Sequence, residues 1–451
     1  MTLADGARAV VGAANVVDDP DALWTYAYDA TMGYRGEPAV VAFPRCESEV
    51  QQLVRAAAAA DVSCLARGGA TSLAASAVPP PQSLVIDTNR MQAVEKFDAD
   101  ARRAVVQPGV ITHAFRDFVA ARGLCYPPDP SSEAGSTLGG NVATNAGGAS
   151  AFKYGVTRDF VTRLRAVTAQ GEVIEAARPA DGPVVDALIG SEGTLGIVTR
   201  IEVRLIEPPP ARTVRAAAFE SPTDALGVVP RLLETGLVPA KLEFLDARTI
   251  HAIERARPRG LPEDAGAVLL AELDGEPEAV RADEHLLLDV LARQGAGVEV
   301  VGAATAERWW AARRGLTASL SRIRPAKIGE DICVPRRALA DTYARIRGEA
   351  DRRGVPVAIF GHAADGTLHP NMLYDPEDPA EREAAAAMLG VIADVGLAAG
   401  GVLSGEHGLG RVKRGFTAQA MTPATLKAMR AFKRAFDPDQ RLNPGAMWPA
   451  E

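Results

Sequence analysis

The sequence predicts an α+β fold in two domains, followed by a short C-terminal segment. Three observations point there. Short β-like runs alternate with helical runs through the first third, but further strands then follow without intervening helices, unlike a uniform doubly wound sheet. A stiff break, Pro208-Pro209-Pro210, ends this region, and a second stretch beyond it carries its own strands and amphipathic helices. The length, 451 residues at roughly 150 per domain, allows two or three domains. The expected division is 1–210, 211–405 and 406–451.

The elements follow in order. Pro38 to Pro44 reads as a strand bounded by prolines. Ser48 is a candidate cap for a helix from Glu49 to Ala60, with Glu49 favouring the helix dipole. Val62 to Ala66, Leu84 to Asp87 and Arg103 to Gln107 read as strands. Ile111 to Arg122 reads as a helix stopped by Gly123. Pro127 to Gly155 is dense in Gly, Ser, Thr, Asn and Pro, and a loop of that length is uncommon unless it holds something. Leu164 to Thr168 and Glu172 to Ala176 form an expected hairpin, and Leu195 to Leu205 a closing strand. The second region shows a strand at Val268 to Leu273 and a helix at Glu278 to Gln294. Thr422 is an expected cap for a helix from Pro423 to Phe436.

Composition excludes several classes. Apolar residues make up 47% and charged residues 24%, enough to bury a core and too apolar for global disorder. The formal net charge of -8 leaves no cationic surplus for a nucleic acid, so no such partner is expected. The four cysteines, Cys46, Cys64, Cys125 and Cys333, form no CxxC pair, which argues against a sulfur-ligated metal and for isolated thiols in a reducing compartment. No apolar run reaches the roughly 18 residues of a transmembrane helix, and the N-terminus does not read as a signal peptide. The expectation is a cytoplasmic protein without an integral membrane segment, with peripheral attachment left open.

Two constellations could carry chemistry. Three glycine-rich turns, Arg67 to Leu73, Gly139 to Gly148 and Gly190 to Gly196, each sit beside a strand end. Small residues let backbone N–H groups approach a pyrophosphate, although none of the three is the GxGxxG fingerprint. The second constellation uses three of the six histidines. Gly361-His362-Ala363-Ala364-Asp365-Gly366-Thr367-Leu368-His369 follows an apolar strand, and Asp365-Gly366 is a turn dipeptide that lets the two imidazoles converge. Ser404-Gly405-Glu406-His407-Gly408-Leu409-Gly410 adds a carboxylate and a third histidine. Two imidazoles and a carboxylate make an open three-ligand set for a divalent metal, leaving one histidine as a base. A weaker feature, Trp309-Trp310-Ala311-Ala312-Arg313-Arg314 with Thr317 and Lys327, offers cations for an anionic substrate, or a helix face with solvated arginines.

Together these residues resemble the FAD-dependent D-2-hydroxy-acid dehydrogenases of the vanillyl-alcohol oxidase and p-cresol methylhydroxylase superfamily. Members include glycolate oxidase flavin subunits, cytochrome-linked D-lactate dehydrogenases and D-2-hydroxyglutarate dehydrogenases. The resemblance runs from about Gly36 to Pro449. It is carried by Pro127 to Ser132, Gly139 to Gly148, Lys153 to Asp159, Gly190 to Ile197, Ser404 to Gly410 and Phe436 to Gly445. It implies a two-domain FAD-linked oxidase fold: an FAD-binding α+β domain, an antiparallel-sheet substrate domain, and a C-terminal segment returning to the first.

The resemblance also implies roles. Arg67, Gly68, Gly69, Ala70, Thr71 and Ser72 would bind the FAD pyrophosphate. Pro128, Asp129, Ser131 and Ser132 would line the cofactor path with Gly140, Asn141, Thr144, Asn145 and Gly147. Glu192, Gly193, Gly196 and Ile197 would complete the cleft, and Asn443 would close it. His362, His369 and Glu406 fall on the ligands of a divalent metal, zinc or manganese, and His407 on the base. Arg313, Thr317 and Lys327 fall where relatives grip substrate carboxylates. Arg67 to Ser76 contains no histidine, so non-covalent FAD is implied. This chain has Ala74-Ala75-Ser76-Ala77 where relatives carry more glycine, and Ala364-Asp365-Gly366-Thr367 where they favour G-D-G-N. The implied activity is oxidation of a small D-2-hydroxy acid such as D-lactate or glycolate. Quinone, cytochrome and electron-transfer flavoprotein stay open as acceptors, as does a homodimer. Oxidation of another alcohol or sugar acid, and a flavin subunit inactive without partners, are the alternatives.

Overall fold

The computed structural model describes residues 2–294, 297–300 and 303–447; Pro449, the far end of the resemblance, lies outside the described residues. The chain divides into two compact units. One holds the chain up to Gly147, Gly155–Pro208 and the segment from Glu406 onward; the other holds Gly148–Tyr154 and Pro209–Gly405.

The first unit contains two sheets. In one, β1 (Val16–Val17), β2 (Val40–Ala42), β3 (Cys64–Arg67) and β4 (Leu84–Asp87) run in the order β1-β2-β4-β3, with β2 and β3 each parallel to β4. The crossover from β2 to β3 is the helix Glu47–Ala59, which buries Val50, Leu53, Val54 and Ala57, one stripe at helical spacing. Its N-cap is Cys46 rather than Ser48, and the Cys46 side chain caps no backbone N–H of the helix. Glu49 supplies the contact instead: its carboxylate accepts the N–H of Arg45 at 2.6 Å.

The second sheet is antiparallel. It comprises β5 (Val94–Asp98), β6 (Arg103–Val106), β7 (Val161–Val167), β8 (Val173–Ala177) and β9 (Ile197–Arg204), in the order β5-β6-β9-β7-β8. The expected hairpin is β7–β8, with Leu164 opposite Ala176 and its turn at Gly171, φ +74°. The Pro127–Gly155 stretch is not a plain loop. It contains the helix Leu138–Thr144, capped by the Thr137 hydroxyl, which accepts the Gly140 N–H at 3.2 Å. Asn141 anchors that helix by donating to the Thr112 hydroxyl at 2.8 Å.

The second unit is built on one antiparallel sheet. Its strands are β10 (Ala211–Phe219), β11 (Lys241–Asp246), β12 (Ala267–Gly275), β13 (Gly297–Val300), β14 (Ala326–Gly329), β15 (Ile332–Cys333), β16 (Val357–His362) and β17 (Thr367–Tyr374). The order is β13-β10-β12-β11-β16-β17-β14, with β15 paired to β17. β16 and β17 are buried along their whole length because both faces are covered. Leu339 and Ile346, from the helix Leu339–Arg352, pack in the core that contains Ile359 and Met372. Ile250 and Ile253, from the helix Ala247–Ala256, pack with Trp309, Trp310, Ala358 and Phe360 on the opposite side. Tyr154, in the short segment that joins this unit, donates its hydroxyl to Asp274 at 2.7 Å.

Candidate active site

A cleft of about 970 Å³, counting its open mouth, lies within the first unit. Its walls are the turn after β3, the Leu138–Thr144 helix, the turn at Glu192-Gly193, and Glu406-His407. Arg67 ends β3 and shapes the turn from outside the cleft. Its guanidinium donates to the carbonyls of Tyr28 at 2.7 Å and of Tyr26 and Ala77 at 3.3 Å, tying the turn's start to its end. Gly68 and Gly69 are required by close approach: a Cβ on Gly68 would lie 2.3 Å from the Thr137 hydroxyl, and one on Gly69 1.9 Å from the Gly135 carbonyl. Ala70 sits at φ +52°. Among the described residues, the N–H groups of Ala70, Thr71, Ser72 and Leu73 have no protein acceptor. A turn of unspent backbone donors fits a diphosphate.

Glu192 and Asn443 hold this cleft together. The buried Glu192 carboxyl accepts the Ser76 hydroxyl at 2.6 Å, the Leu409 N–H at 2.8 Å and the Gly410 N–H at 2.9 Å. Burial pushes this carboxyl above the usual range, opposed by those bonds. The Asn443 amide donates to the carbonyls of Ser76 at 2.9 Å and Glu192 at 2.8 Å. Lys433, on the helix Pro423–Phe436, is buried. It pairs with Asp437 and donates to the Thr194 carbonyl at 2.6 Å.

The structure brings Gly68 to Ser72, Ser131, Ser132, Gly140, Asn141, Thr144, Gly147, Glu192, Gly193, Glu406 and His407 to one cleft. His407 Nε2 lies 4.0 Å from a Glu406 oxygen. Other sequence-selected positions lie off its wall. Gly196 and Arg67 line a smaller adjoining cavity of about 420 Å³. Ile197 belongs to the apolar core. Asn145 caps the Leu138–Thr144 helix at φ +52° and accepts the Arg158 N–H at 2.9 Å. Pro128 is buried and Asp129 half-buried, the latter close enough to Arg116 to act on its charge.

In the second unit the two histidines meet on the β16–β17 hairpin. Phe360 faces His369 in register, and the rings of His362 and His369 stand 5.0 Å apart at 86°. Gly366, φ +91°, makes the turn. His362 Nδ1 is held by Glu243 on β11, and the other Glu243 oxygen takes Arg313 Nε. Burial alone would raise the Glu243 pKa, but the Arg313 charge and the bond to His362 hold it at about 2. A carboxylate on Nδ1 fixes the tautomer in which Nε2 bears the lone pair a metal takes. Arg313 is buried and stacks 4.5 Å over the Phe360 ring, while Trp309 and Trp310 pack in the core, so this helix face is not a solvated one. Lys327 donates to the Asn371 side chain at 2.9 Å, and burial lowers its pKa to about 8. Thr317 is exposed. Sequence reasoning missed Glu243 and Asn371. Glu243 gives no local signal, since its partners are distant in sequence; Asn371, two residues from His369, is another buried polar residue on the same strand.

A family model described as the FAD-linked oxidase C-terminal domain matches residues 208–447, more than half of the chain, and an FAD binding domain model matches residues 38–177. The chain belongs to the FAD-linked oxidase family. This FAD-linked oxidoreductase is 36% identical to the glycolate oxidase subunit GlcD of Bacillus subtilis over 97% of this chain and 95% of the relative. It is 35% identical to the GlcD subunit of Escherichia coli strain K12 over 93% and 85%. It is 30% identical to the mitochondrial cytochrome D-lactate dehydrogenase of Arabidopsis thaliana over 91% and 74%. Among solved structures, p-cresol methylhydroxylase with substrate bound shares the fold, with a TM-score of 0.82 at 18% identity over 99% of this chain and 96% of that one. The two-domain FAD-linked oxidase fold and FAD itself are thereby established for this oxidoreductase. Among the described residues, no helix is long and apolar enough to cross a membrane.

Proposed function

We propose that this FAD-linked oxidoreductase converts a small D-2-hydroxy acid, such as D-lactate or glycolate, to the 2-oxo acid. The observation that carries the reading is His407: an imidazole on the wall of a cleft lined mainly by glycines, alanines and small polar residues, with unspent backbone donors in one turn. A glycolate oxidase subunit and D-lactate dehydrogenases among the relatives support the substrate class.

In this mechanism the amides of Ala70 to Leu73 would hold the diphosphate of a non-covalently bound FAD, which would supply the two-electron sink for the α-hydrogen and its bonding pair. His407 accepts the hydroxyl proton, a task suited to an imidazole near neutral pH. Arg313 and Lys327, with Thr317, hold the substrate carboxylate. Arg313 already carries a bound carboxylate, Glu243, which illustrates the pairing its guanidinium prefers. His362, His369 and Glu406 would hold a divalent metal, zinc or manganese, which would supply Lewis acidity toward the substrate hydroxyl. The fixed tautomer of His362 supports that donor set.

The reading is tested anaerobically. Purified FAD-loaded protein is mixed with D- and L-2-hydroxy acids, and the oxidised-flavin absorbance is followed. Loss of absorbance with a D-acid or glycolate, and not with the L-acids, is expected. A flavin that no hydroxy acid bleaches would contradict it. The word "subunit" in the names of two relatives favours a second reading, a flavin subunit that turns over only with partners. It predicts a yellow protein whose flavin no hydroxy acid bleaches in the absence of its partners.

A further inference from the structure

The loop that carries His407 is seated in part through its backbone. Gly408, at φ +86°, passes so close to Glu192 that a Cβ there would lie 2.7 Å from the carboxyl oxygen. Gly410, at φ +49°, packs against Ala74, where a Cβ would lie 1.8 Å from the carbonyl oxygen. The Leu409 and Gly410 N–H groups both end on Glu192. The same carboxyl takes the Ser76 hydroxyl, and Ser76 belongs to the turn whose Ser72 hydroxyl accepts the Ala74 and Ser76 N–H groups. One buried carboxyl thus joins the diphosphate turn to the histidine loop near Gly408 to Gly410, beside a direct link further along in which the Ala74 carbonyl accepts the Arg411 N–H at 2.8 Å.

We infer that Glu192 is a positioning residue that couples occupancy of the FAD cleft to the placement of His407. The inference rests on the reading that His407 works at that cleft. It differs from the expectation that Glu192 serves the cofactor directly, because the carboxyl is occupied by Ser76, Leu409 and Gly410. Glu192 also holds a left-handed backbone, φ +51°, which a side chain adopts at a cost and which the surrounding bonds must offset. When a diphosphate orders the Ala70–Leu73 amides, the ordering reaches Ser76, then Glu192, then residues 408–410. By linkage, ordering those residues strengthens FAD binding in return.

Amide hydrogen exchange on the full-length protein, with and without FAD, tests this. In the wild type, FAD is expected to slow exchange in peptides covering 406–413. In Glu192→Ala, that exchange should be at least about tenfold faster, and FAD should slow it distinctly less than in the wild type even at saturation of flavin fluorescence quenching. Glu192→Gln should restore coupling, since its carbonyl can accept Leu409 and Gly410 while its amide donates to the Ser76 oxygen. Should Glu192→Ala not fold, Ser76→Ala cuts the link on the flavin side alone and is expected to reduce the FAD-dependent protection about threefold or more. Protection that survives unchanged in the folded variant overturns the inference. Turnover of His407→Ala is scored separately: full turnover there ends the assignment of the base, while the exchange result still decides the coupling.

Discussion

Glu243 and His362 face each other in register across β11 and β16, and the carboxylate accepts the imidazole Nδ1 proton. A carboxylate behind a metal-facing histidine typically contributes 10–100-fold in metal affinity. Glu243→Gln should therefore weaken zinc or manganese retention by roughly that factor, read by metal content after dialysis against a graded chelator. Unchanged metal content would remove Glu243 from the account.

The same carboxyl sets a pH dependence. It is held at about 2 in the folded chain, below the ordinary carboxylate value of 4.5, with burial outweighed by Arg313 and His362. A depressed carboxyl pKa contributes stability above its unfolded value that is lost as pH falls toward the folded one. Denaturant unfolding of the wild type should thus show an acid-labile component between about pH 4.5 and 2. Glu243→Gln should lack it. Parallel acid profiles for the two proteins would contradict the pairing.

Gly69 tests the diphosphate turn. A Cβ there would lie 1.9 Å from the Gly135 carbonyl, a backbone atom that cannot swing aside. Gly69→Ala should displace the turn and its unspent donors. The purified variant should carry less flavin, with a lower ratio of flavin to protein absorbance, and should regain it only at raised FAD concentration.

Lys433 and Asp437 form a buried pair that fixes the C-terminal segment onto Thr194 and Leu442. Removing one member strands the other charge, at a cost of about 3–5 kcal/mol. Lys433→Met should lower unfolding free energy by that order, and by mass action FAD should recover part of it. A variant as stable as the wild type would show that the pair is incidental.

Cys64 is 2% exposed, and burial pushes its thiol up to about 12. The thiolate is the reactive form, so Cys64 should resist thiol reagents at pH 8 until the protein unfolds. Mass spectrometry after brief alkylation should find it unlabelled, with Cys46, Cys125 and Cys333, all partly exposed, labelled first.

Much of this was legible in the sequence because the signals were local. Asp365-Gly366 between two apolar runs announces the hairpin that joins His362 to His369, and Thr422 before Pro423 announces a capped helix, its hydroxyl accepting the Thr425 N–H at 3.1 Å. The helix at Leu138–Thr144 was hidden because its glycines depress helix propensity, while Thr137 and the bond from Asn141 to Thr112 favour it through context. Ser48 was mistaken for a cap because residue type alone cannot place the first turn, which begins at Glu47. Glu243 and the bridging role of Glu192 were illegible: their partners come from distant segments, and no periodicity records a pairing made only in the folded chain.

In the proposed mechanism His407 takes the substrate proton at the FAD cleft. Anaerobic single-turnover reduction of bound flavin by a D-2-hydroxy acid, compared between the wild type and His407→Ala at equal FAD loading, tests it most directly. The account predicts reduction slowed by about 10²–10⁴-fold with flavin content retained. Reduction at the wild-type rate in the variant would contradict it.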